Sequence, residues 1–247
     1  MSGFLSGTRE VKVPEADEAS AVIARYARRH DDYWRDCALN PAKLLANQER
    51  QRAIADEFIR LGWLDLGRVR LLEVGCGTGC NLLEFLRLGF MPEHLLGIEL
   101  LTASVERARR DLPASVRITL GDAAGAAGSL VPDASQDIVY QSTVFTSLLD
   151  DEFQQRLADR MWRWLRPGGG ILWYDFTVNN PRNPDVRGVP LARIRQLFPH
   201  GNMRTRRLTL APPLARTVTR VHPRLYGVFN ACRWLRTHVL AWVEKPH

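Results

Sequence analysis

The sequence predicts an α/β fold in which a mainly parallel sheet carries helices on both faces. Three observations predict it. Short apolar runs alternate with helical segments through the middle of the chain, the first run ends in a glycine-rich turn, and two more strand-like runs come late. The two late runs are separated by an irregular or helical stretch, which favours an antiparallel hairpin at the sheet edge. The 247 residues suit one such domain with a small appendage.

The N-terminal quarter of the chain is predicted to be helical. Residues 1–14 read as a loose tail, and an alanine-rich pattern predicts a helix from Asp17 to about Arg29. Pro41 suits the first turn of a second helix, which runs to about Leu61 with Asn40 as its N-cap. We therefore divide the chain into an N-terminal helical cap or lid, residues 1–65, and a main domain, residues 66–247.

The main domain alternates strands and helices. The five runs typical of buried strands are Val69–Val74, Leu95–Leu100, Val116–Leu120, Asp137–Val144 and Ile171–Val178. The helices between them are Asn81–Leu88, Thr102–Leu112 with Thr102 as its cap, and Asp150–Leu165, which Pro167 and Gly168–Gly170 are expected to stop. A short helix follows at Val189–Phe198, and the late strands are Arg204–Ala211 and His238–Val243, separated by a loop and helix over Leu214–Leu235.

Basic charge is concentrated in the last quarter of the chain. The formal net charge is +7, and the segment from Arg187 to the C-terminus holds twelve Lys or Arg but one acid, Glu244. Such asymmetry indicates either an anionic partner or a solvated cationic face. The four cysteines fit neither a zinc pattern nor a disulfide framework, so reduced thiols and no metal are expected.

Membrane and export signals are missing from the sequence pattern. No apolar run approaches the ~18–20 residues that a membrane span needs, and the N-terminus has no apolar core followed by a small-residue cleavage site. These observations predict a cytoplasmic protein.

The first predicted strand runs into the loop Glu73-Val-Gly-Cys-Gly-Thr-Gly79. The amides at the start of the following helix lack partners and carry partial positive charge, and glycines let a ligand approach the backbone closely. The third glycine comes one residue earlier than in the dinucleotide fingerprint G-x-G-x-x-G. The Gly-Lys-Ser/Thr of a P-loop is replaced by Gly79-Cys-Asn81. Neither phosphate-binding motif is therefore met.

This loop closely resembles motif I of class I S-adenosylmethionine-dependent methyltransferases, and further elements follow in that family's order over about residues 66–180. Glu99 ends the second predicted strand, where the resemblance implies a carboxylate that accepts the ribose hydroxyls. Gly121-Asp122-Ala123 resembles the segment whose Asp accepts from the adenine amino group. Asp137–Gln141 resembles the strand whose end faces the methyl group, and Leu165-Arg-Pro-Gly-Gly-Gly170 the turn before the fifth strand.

The resemblance implies a Rossmann-like seven-stranded sheet of order 3-2-1-4-5-7-6, with the last strand antiparallel. It also implies S-adenosyl-L-methionine as cofactor and S-adenosyl-L-homocysteine as product. The cofactor-binding residues that it implies are Glu73, Gly75, Cys76, Gly77, Thr78, Gly79, Asn81, Glu99, Leu100, Asp122, Ala123 and Gln141.

Candidates for the acceptor side come from two segments. Tyr174 and Asp175 end the fifth predicted strand on the active-site edge, and a catalytic role is expected for them. The expected substrate-binding residues are Tyr26, Tyr33 and Trp34 in the N-terminal segment and Asn180 and Arg187 in the polar loop after the fifth strand. The structural alternatives are packing of a helical lid and turn formation by Asn-Pro pairs.

Three functions remain open at this point. The resemblance implies in-line transfer of a methyl group to an oxygen or nitrogen of a small molecule or glycan, as in a bacterial group associated with surface-polysaccharide or secondary-metabolite pathways. The Arg-rich last quarter leaves an RNA-directed methyltransferase or nucleic-acid-binding protein as the alternative, disfavoured because no RNA-binding module is recognisable. The mixture of Arg with apolar residues over Leu214–Trp242 adds peripheral contact with the inner membrane face as a third hypothesis.

Overall fold

A seven-stranded sheet forms the centre of the protein in the computed structural model, which describes residues 17–28, 39–180 and 183–247. The strands are β1 Leu71–Val74, β2 Leu95–Glu99, β3 Arg117–Leu120, β4 Gln136–Ser142, β5 Leu165–Phe176, β6 Asn202–Leu210 and β7 Arg236–Glu244. Their order is β3-β2-β1-β4-β5-β7-β6, which confirms the predicted order. Strands β1 to β5 pair in parallel, and β7 pairs antiparallel to both β5 and β6.

Nine α-helices are described. They are α1 Glu18–Ala27, α2 Pro41–Arg60, α3 Cys80–Arg87, α4 Thr102–Asp111, α5 Ala126–Ser129, α6 Asp151–Trp164, α7 Leu191–Leu197, α8 Pro212–Val221 and α9 Leu225–Asn230. The predicted cap of α2 is confirmed, because the Asn40 side chain accepts a hydrogen bond from the Ala42 amide at 3.0 Å. The predicted cap Thr102 is wrong. Leu101 holds the N-cap position of α4 without a side-chain bond, because the Glu99 carboxylate binds the Leu100 and Leu101 amides instead.

The helices cover both faces of the sheet. Apolar side chains of α2, α3 and α4, among them Phe58, Phe85 and Val105, pack on one face. Helices α1, α5, α6 and α7 cover the other face, with Met161 and Ile194 in that core. Strand β2 is buried along its whole length, as expected for an inner strand of a parallel sheet. The predicted α/β layering follows from these two cores.

Strand β5 begins earlier than the sequence predicts. It starts at Leu165, whereas the prediction treats Pro167 to Gly170 as a stop and begins the strand at Ile171. A Cβ on Gly169 would lie 2.6 Å from the Asp137 carbonyl oxygen, and one on Gly170 would lie 2.3 Å from the Trp242 ring. These glycines therefore let the neighbouring strands come close, and they do not end the strand.

The carboxyl ends of the parallel strands meet at one edge of the sheet, which is where ligands bind in such folds. The segment between β6 and β7 lies at this edge too, because β6 ends at Leu210, which is opposite Arg236 at the start of β7. Helices α8 and α9 belong to this segment and pack through Val218 and Tyr226 against the start of α2. Within the described part of the chain, no helix is both long and apolar enough to cross a membrane.

Candidate functional site

The turn between β1 and α3 has three glycines in the left-handed region, Gly75, Gly77 and Gly79, with φ of 63°, 54° and 83°. A Cβ on Gly75 would lie 2.6 Å from Val144, and one on Gly79 would lie 2.6 Å from Leu112. Around Gly77 no atom lies within 4 Å of the corresponding position. Two of the glycines are therefore required by packing, whereas Gly77 faces open space that a ligand can fill.

Glu99 ends β2 and orders the neighbouring turns. Its Oε2 accepts a hydrogen bond from the Gly77 amide at 2.8 Å. Its Oε1 accepts from the amides of Leu100 at 2.9 Å and Leu101 at 2.8 Å. A carboxylate has about four acceptor positions, so Oε2 retains room for one further donor. Glu99 is thus placed beside the glycine loop with an acceptor direction left for a ligand hydroxyl.

Asp122 follows β3 at the same edge. The Gly121 amide donates to the Glu99 carbonyl oxygen at 2.8 Å, which holds the turn after β3 against the end of β2. The Asp122 Oδ1 accepts from the Ala124 amide at 2.8 Å. The pKa of this carboxyl is raised, mainly because the group is partly buried. The hydrogen bond from the Ala124 amide opposes the rise, and the charge of nearby Asp17 adds to it. The next residue, Ala123, is buried. Glu99, Asp122 and Ala123 therefore follow adjacent strands, as the resemblance implies.

Behind the glycine loop, a chain of polar side chains connects β1 with α2. The Asn81 amide donates to Glu73 Oε1 at 2.6 Å, and Arg50 donates to Asn81 Oδ1 at 2.8 Å. The second oxygen of Glu73, Oε2, is buried without a hydrogen-bond partner. Burial raises the pKa of Glu73 to about 8, against the effects of the Asn81 hydrogen bond and the Arg50 charge.

The two non-glycine residues inside the loop, Cys76 and Thr78, differ in burial. The side chain of Cys76 is buried, and a Cβ on Gly97 would come within 2.6 Å of its Sγ. Burial raises the pKa of this thiol, so it is inert at neutral pH. Thr78 Oγ1 lies 3.4 Å from the sulfur of Cys80. For Cys76 the backbone is therefore the part that can border a ligand, whereas Thr78 is half-buried.

The end of β4 carries backbone strain. Thr143 is an exposed non-glycine residue with φ of 58°, and its amide donates to the Tyr174 carbonyl oxygen at 2.9 Å. Buried Gln141 supports this turn by accepting from the Val144 amide at 3.1 Å. A non-glycine residue in this region costs about 1–3 kcal/mol, and such strain clusters at active sites. The strained turn thus lies where the resemblance implies that the methyl group is presented.

Tyr174 and Asp175, the predicted catalytic pair, are both buried. The Tyr174 hydroxyl lies 2.7 Å from Thr209 Oγ1, and the Arg50 guanidinium lies 5.1 Å from its ring centroid. Burial raises the pKa of Tyr174 to about 12. The Asp175 carboxylate accepts from the amides of Thr146 at 3.2 Å and Phe176 at 3.0 Å. Their catalytic role stays a prediction, and their contacts hold the ends of β4 and β5.

Asp175→Asn is expected to remove a pH dependence of folding. Burial raises the pKa of Asp175 to about 7 from 3.8, against the hydrogen bonds from Thr146, Phe176 and Gln141. Between these two pH values the folded state keeps a proton that the unfolded chain has released. The wild-type free energy of unfolding therefore falls as the pH rises through this window, by up to about 4 kcal/mol.

Urea unfolding of the wild type and Asp175→Asn at several pH values measures this effect. The free energy of unfolding of the wild type minus that of Asp175→Asn should fall as the pH rises from about 4 to 7, and it should stay constant below and above this range. A difference that is constant across this range contradicts a protonated Asp175.

Two of the five predicted acceptor residues, Tyr26 and Arg187, contact the short 3-10 turn Phe145–Ser147 after β4. The Tyr26 hydroxyl lies 3.4 Å from Ser147 Oγ, and the Arg187 amide donates to the Thr146 carbonyl oxygen at 2.8 Å. The Arg187 guanidinium forms an ion pair with Asp151 at the start of α6. Asn180 is exposed on the loop after β5. Tyr33 and Trp34 lie outside the described residues.

Sequence reasoning missed Arg50, which the structure places among the predicted site residues. Its guanidinium also donates to Ser142 Oγ at the end of β4, at 3.1 Å. A signal was present, because Arg50 precedes buried Ile54 by four residues and so shares the core-facing side of α2. A cation on an otherwise apolar helix face indicates a polar partner inside. Thr143 had no such signal, since its φ is set by tertiary contacts.

The residues present fit S-adenosylmethionine. The open space at Gly77, the free acceptor direction of Glu99 and the carboxylate of Asp122 follow β1, β2 and β3 in the order of a methionine-to-adenine arrangement. Carboxylates suit hydroxyl and amino donors, and glycines in the left-handed region allow close backbone approach.

Comparisons with known proteins agree with this geometry. Residues 71–169 match the model of a methyltransferase domain family. The tRNA N(3)-methylcytidine methyltransferase trm140 of Schizosaccharomyces pombe is 25% identical over 175 residues, which cover 68% of this chain and 55% of that protein. The chain thus spans about half the length of this curated relative.

Solved structures share the fold. A SAM-dependent methyltransferase from Archaeoglobus fulgidus superposes with a TM-score of 0.54 at 15% identity, covering 82% of this chain and 98% of that one. A protein from Galdieria sulphuraria, assigned as a sarcosine dimethylglycine methyltransferase, reaches 0.59 at 15% identity, covering 94% and 99%. At such identities the likeness concerns the fold alone. Residues 71–169 therefore carry a methyltransferase domain in the fold that these S-adenosylmethionine-dependent methyltransferases share, and the residues at the sheet edge fit S-adenosylmethionine as the cofactor.

Proposed function

We propose that this protein transfers the methyl group of S-adenosylmethionine to an oxygen or nitrogen atom of a small molecule or a glycan. The observation that supports this acceptor class is the position of α1, which is fastened over the end of β4. The Leu149 amide donates to Glu18 Oε1 at 2.8 Å, and Arg25 donates to the Ser147 carbonyl oxygen at 2.9 Å. Because α1 covers this part of the sheet edge, a small acceptor can reach the site more easily than a large one.

Helix α1 is held in place by a buried ion pair and by apolar packing. Glu18 and Arg25 form an ion pair at 2.5 Å, and the side chains of both are only 10% exposed. Ala19 and Val22 of α1 belong to the apolar core on this face. Removing one partner of an ion pair that is this deeply buried strongly destabilises the fold, because the other charge is left buried without compensation. We therefore regard residues 1–65 as a cap on the main domain, with α1 closing the acceptor side and α2 reaching the cofactor loop through Arg50.

Bound at this edge, the cofactor supplies an electrophilic methyl group on a sulfonium. Glu99 and Asp122 hold the nucleoside side, and the Gly75–Gly79 backbone gives the close approach that a bound ligand needs. The strained Thr143 turn and the Phe145–Ser147 turn shape the space in front of β4, where an acceptor must be aligned. Asp175 fixes the second of these turns through the Thr146 amide.

An RNA acceptor is less well supported. The name of the S. pombe relative points to tRNA, but two arginines of β6 that would be candidates for phosphate contacts are already in ion pairs. Arg206 pairs with Asp56 at 2.7 Å, and Arg204 lies 3.6 Å from Glu57 and 3.5 Å from Glu244. These acids would compete with phosphate for the guanidinium groups.

Calorimetry and a labelled-methyl assay on the full chain test the proposal. Titration with S-adenosylmethionine is expected to show binding, and label from the methyl group should then appear in hydroxyl- or amine-bearing small molecules or oligosaccharides. A parallel reaction with total tRNA should stay unlabelled. Absence of binding at millimolar cofactor contradicts the enzyme class, whereas label found in tRNA alone contradicts only the acceptor class.

A further inference from the structure

The segment between β6 and β7 exposes apolar side chains next to arginines. We define the Arg-Trp surface by its six exposed residues, Arg220, Val221, Arg224, Val228, Arg233 and Trp234. Val221 is 76% exposed, Val228 67% and Trp234 81%. Helix α8 packs against α9, and α9 packs against the turn Arg233–Leu235, so the three parts form one continuous region. A cluster of this kind is a candidate interaction surface.

The exposed residues are not needed by the core of this segment. Helix α8 buries Ala215, Val218 and Thr219, and α9 buries Tyr226. The Tyr226 hydroxyl donates to Glu49 of α2 at 2.9 Å, and the Asn230 side chain donates to the other oxygen of Glu49 at 2.8 Å. The helices are therefore fixed through one side, which leaves the Arg-Trp surface on the other side without a packing partner among the described residues.

The charge of this surface is uncompensated. Within the part of the chain that the structure describes, Arg220, Arg224 and Arg233 form no ion pair, and the Arg233 guanidinium lies 5.4 Å from the Trp234 ring centroid. The sequence has no Asp or Glu between Val186 and Val243. Glu49, the acid facing α9 from α2, is already bound to Tyr226, Asn230 and the Thr209 amide. The surface thus combines positive charge with apolar area, which complements a negatively charged interface that has an apolar interior.

We propose that the Arg-Trp surface binds the surface of an anionic lipid bilayer. Arginines pair with lipid phosphates at headgroup depth, and Trp234 is the side chain type that favours the boundary between headgroups and acyl chains. Val221 and Val228 gain from contact with acyl chains, whereas they offer nothing to a nucleic-acid backbone. This difference favours lipid over RNA as the occupant.

Membrane binding through the Arg-Trp surface affects where the cofactor site lies relative to the bilayer. Helices α8 and α9 follow the end of β6, on the same sheet edge as the glycine loop and the turns after β4. Binding to a bilayer through this edge brings the cofactor site toward the lipid headgroups, where a lipid-linked acceptor is presented. The proposal goes beyond the methyl-transfer function and does not depend on it, since lipid binding is measured without cofactor.

Flotation of the full chain with vesicles tests the proposal. The protein is expected to float with vesicles that contain about 30% phosphatidylglycerol in phosphatidylcholine, and not with pure phosphatidylcholine. Arg220→Ser, Arg224→Ser and Arg233→Ser combined should weaken binding by about a hundred-fold, because each basic residue at an anionic surface contributes roughly five-fold. Trp234→Ser, which keeps every arginine, should weaken binding and leave its salt dependence unchanged.

The matched control is a triple variant with the same loss of charge, Arg107→Ser, Arg110→Ser and Arg117→Ser. These exposed residues lie on α4 and β3, at the opposite end of the strand order. The control should float like the wild type, and all variants should keep the wild-type circular dichroism spectrum and affinity for S-adenosylmethionine. Three outcomes overturn the proposal: no dependence on anionic lipid, equal loss in both triple variants, or a gel shift with RNA that depends on the Arg-Trp surface while vesicle binding is absent.

Discussion

Gly77→Ala is expected to weaken S-adenosylmethionine binding by about ten- to hundred-fold while the protein remains folded. The added methyl group occupies space that the ligand needs, and such overpacking costs roughly 1–3 kcal/mol of binding free energy. No protein atom lies within 4 Å of the position that a Cβ on Gly77 would take. The methyl group therefore clashes with nothing in the free protein. Its cost to folding is the left-handed φ of 54°, about 1–2 kcal/mol.

Gly62→Ala separates these two effects. Gly62 follows α2 with φ of 76°, and no atom lies within 4 Å of its Cβ position either. Both variants should therefore lose similar stability in urea, whereas calorimetry should find a weakened cofactor affinity only in Gly77→Ala. If both variants bind like the wild type, the space at Gly77 is not where the cofactor lies.

The sheet order was predictable because the family resemblance implies it, and the motifs that carry the resemblance are local. Each apolar run is short, the glycines of the Glu73–Gly79 loop mark the first strand-to-helix turn, and the motifs follow one another in the family's order. The strand boundary that was predicted wrongly depends on contacts with other strands. The start of β5 depends on the close approach of Trp242 and Asp137 to its glycines, which no local pattern of residues 165–170 reveals.

The site was predictable on its cofactor side and not on its acceptor side. Glu99 and Asp122 stand at strand ends, so their position follows from the order of the sheet. Tyr26 and Arg25 both contact Ser147, which lies more than a hundred residues away in the chain. The side of the sheet that Tyr174 faces also follows only from register, which places its hydroxyl against Thr209 of β6. Such contacts are set by tertiary packing.

Glu99→Gln is expected to raise the dissociation constant of S-adenosylmethionine by about a hundred-fold, since it removes a charge-assisted hydrogen bond and disturbs the cofactor loop. Three backbone amides, of Gly77, Leu100 and Leu101, donate to the two oxygens of this carboxylate. Glutamine has one carbonyl oxygen, so its NH₂ group must face at least one of these amides. The unsatisfied amide lowers the free energy of unfolding by about 1–3 kcal/mol.

A comparison of ligands shows whether Glu99 acts on the ribose. Calorimetry of the wild type and Glu99→Gln with adenosine and with 2′,3′-dideoxyadenosine forms a cycle in which the loop disturbance cancels. The variant should lose more affinity for adenosine than for the dideoxy analogue. Glu106→Gln, an exposed site on α4, removes the same charge and should bind both ligands like the wild type. An equal loss for the two ligands would mean that Glu99 orders the Gly77 turn and leaves the ribose hydroxyls to other groups.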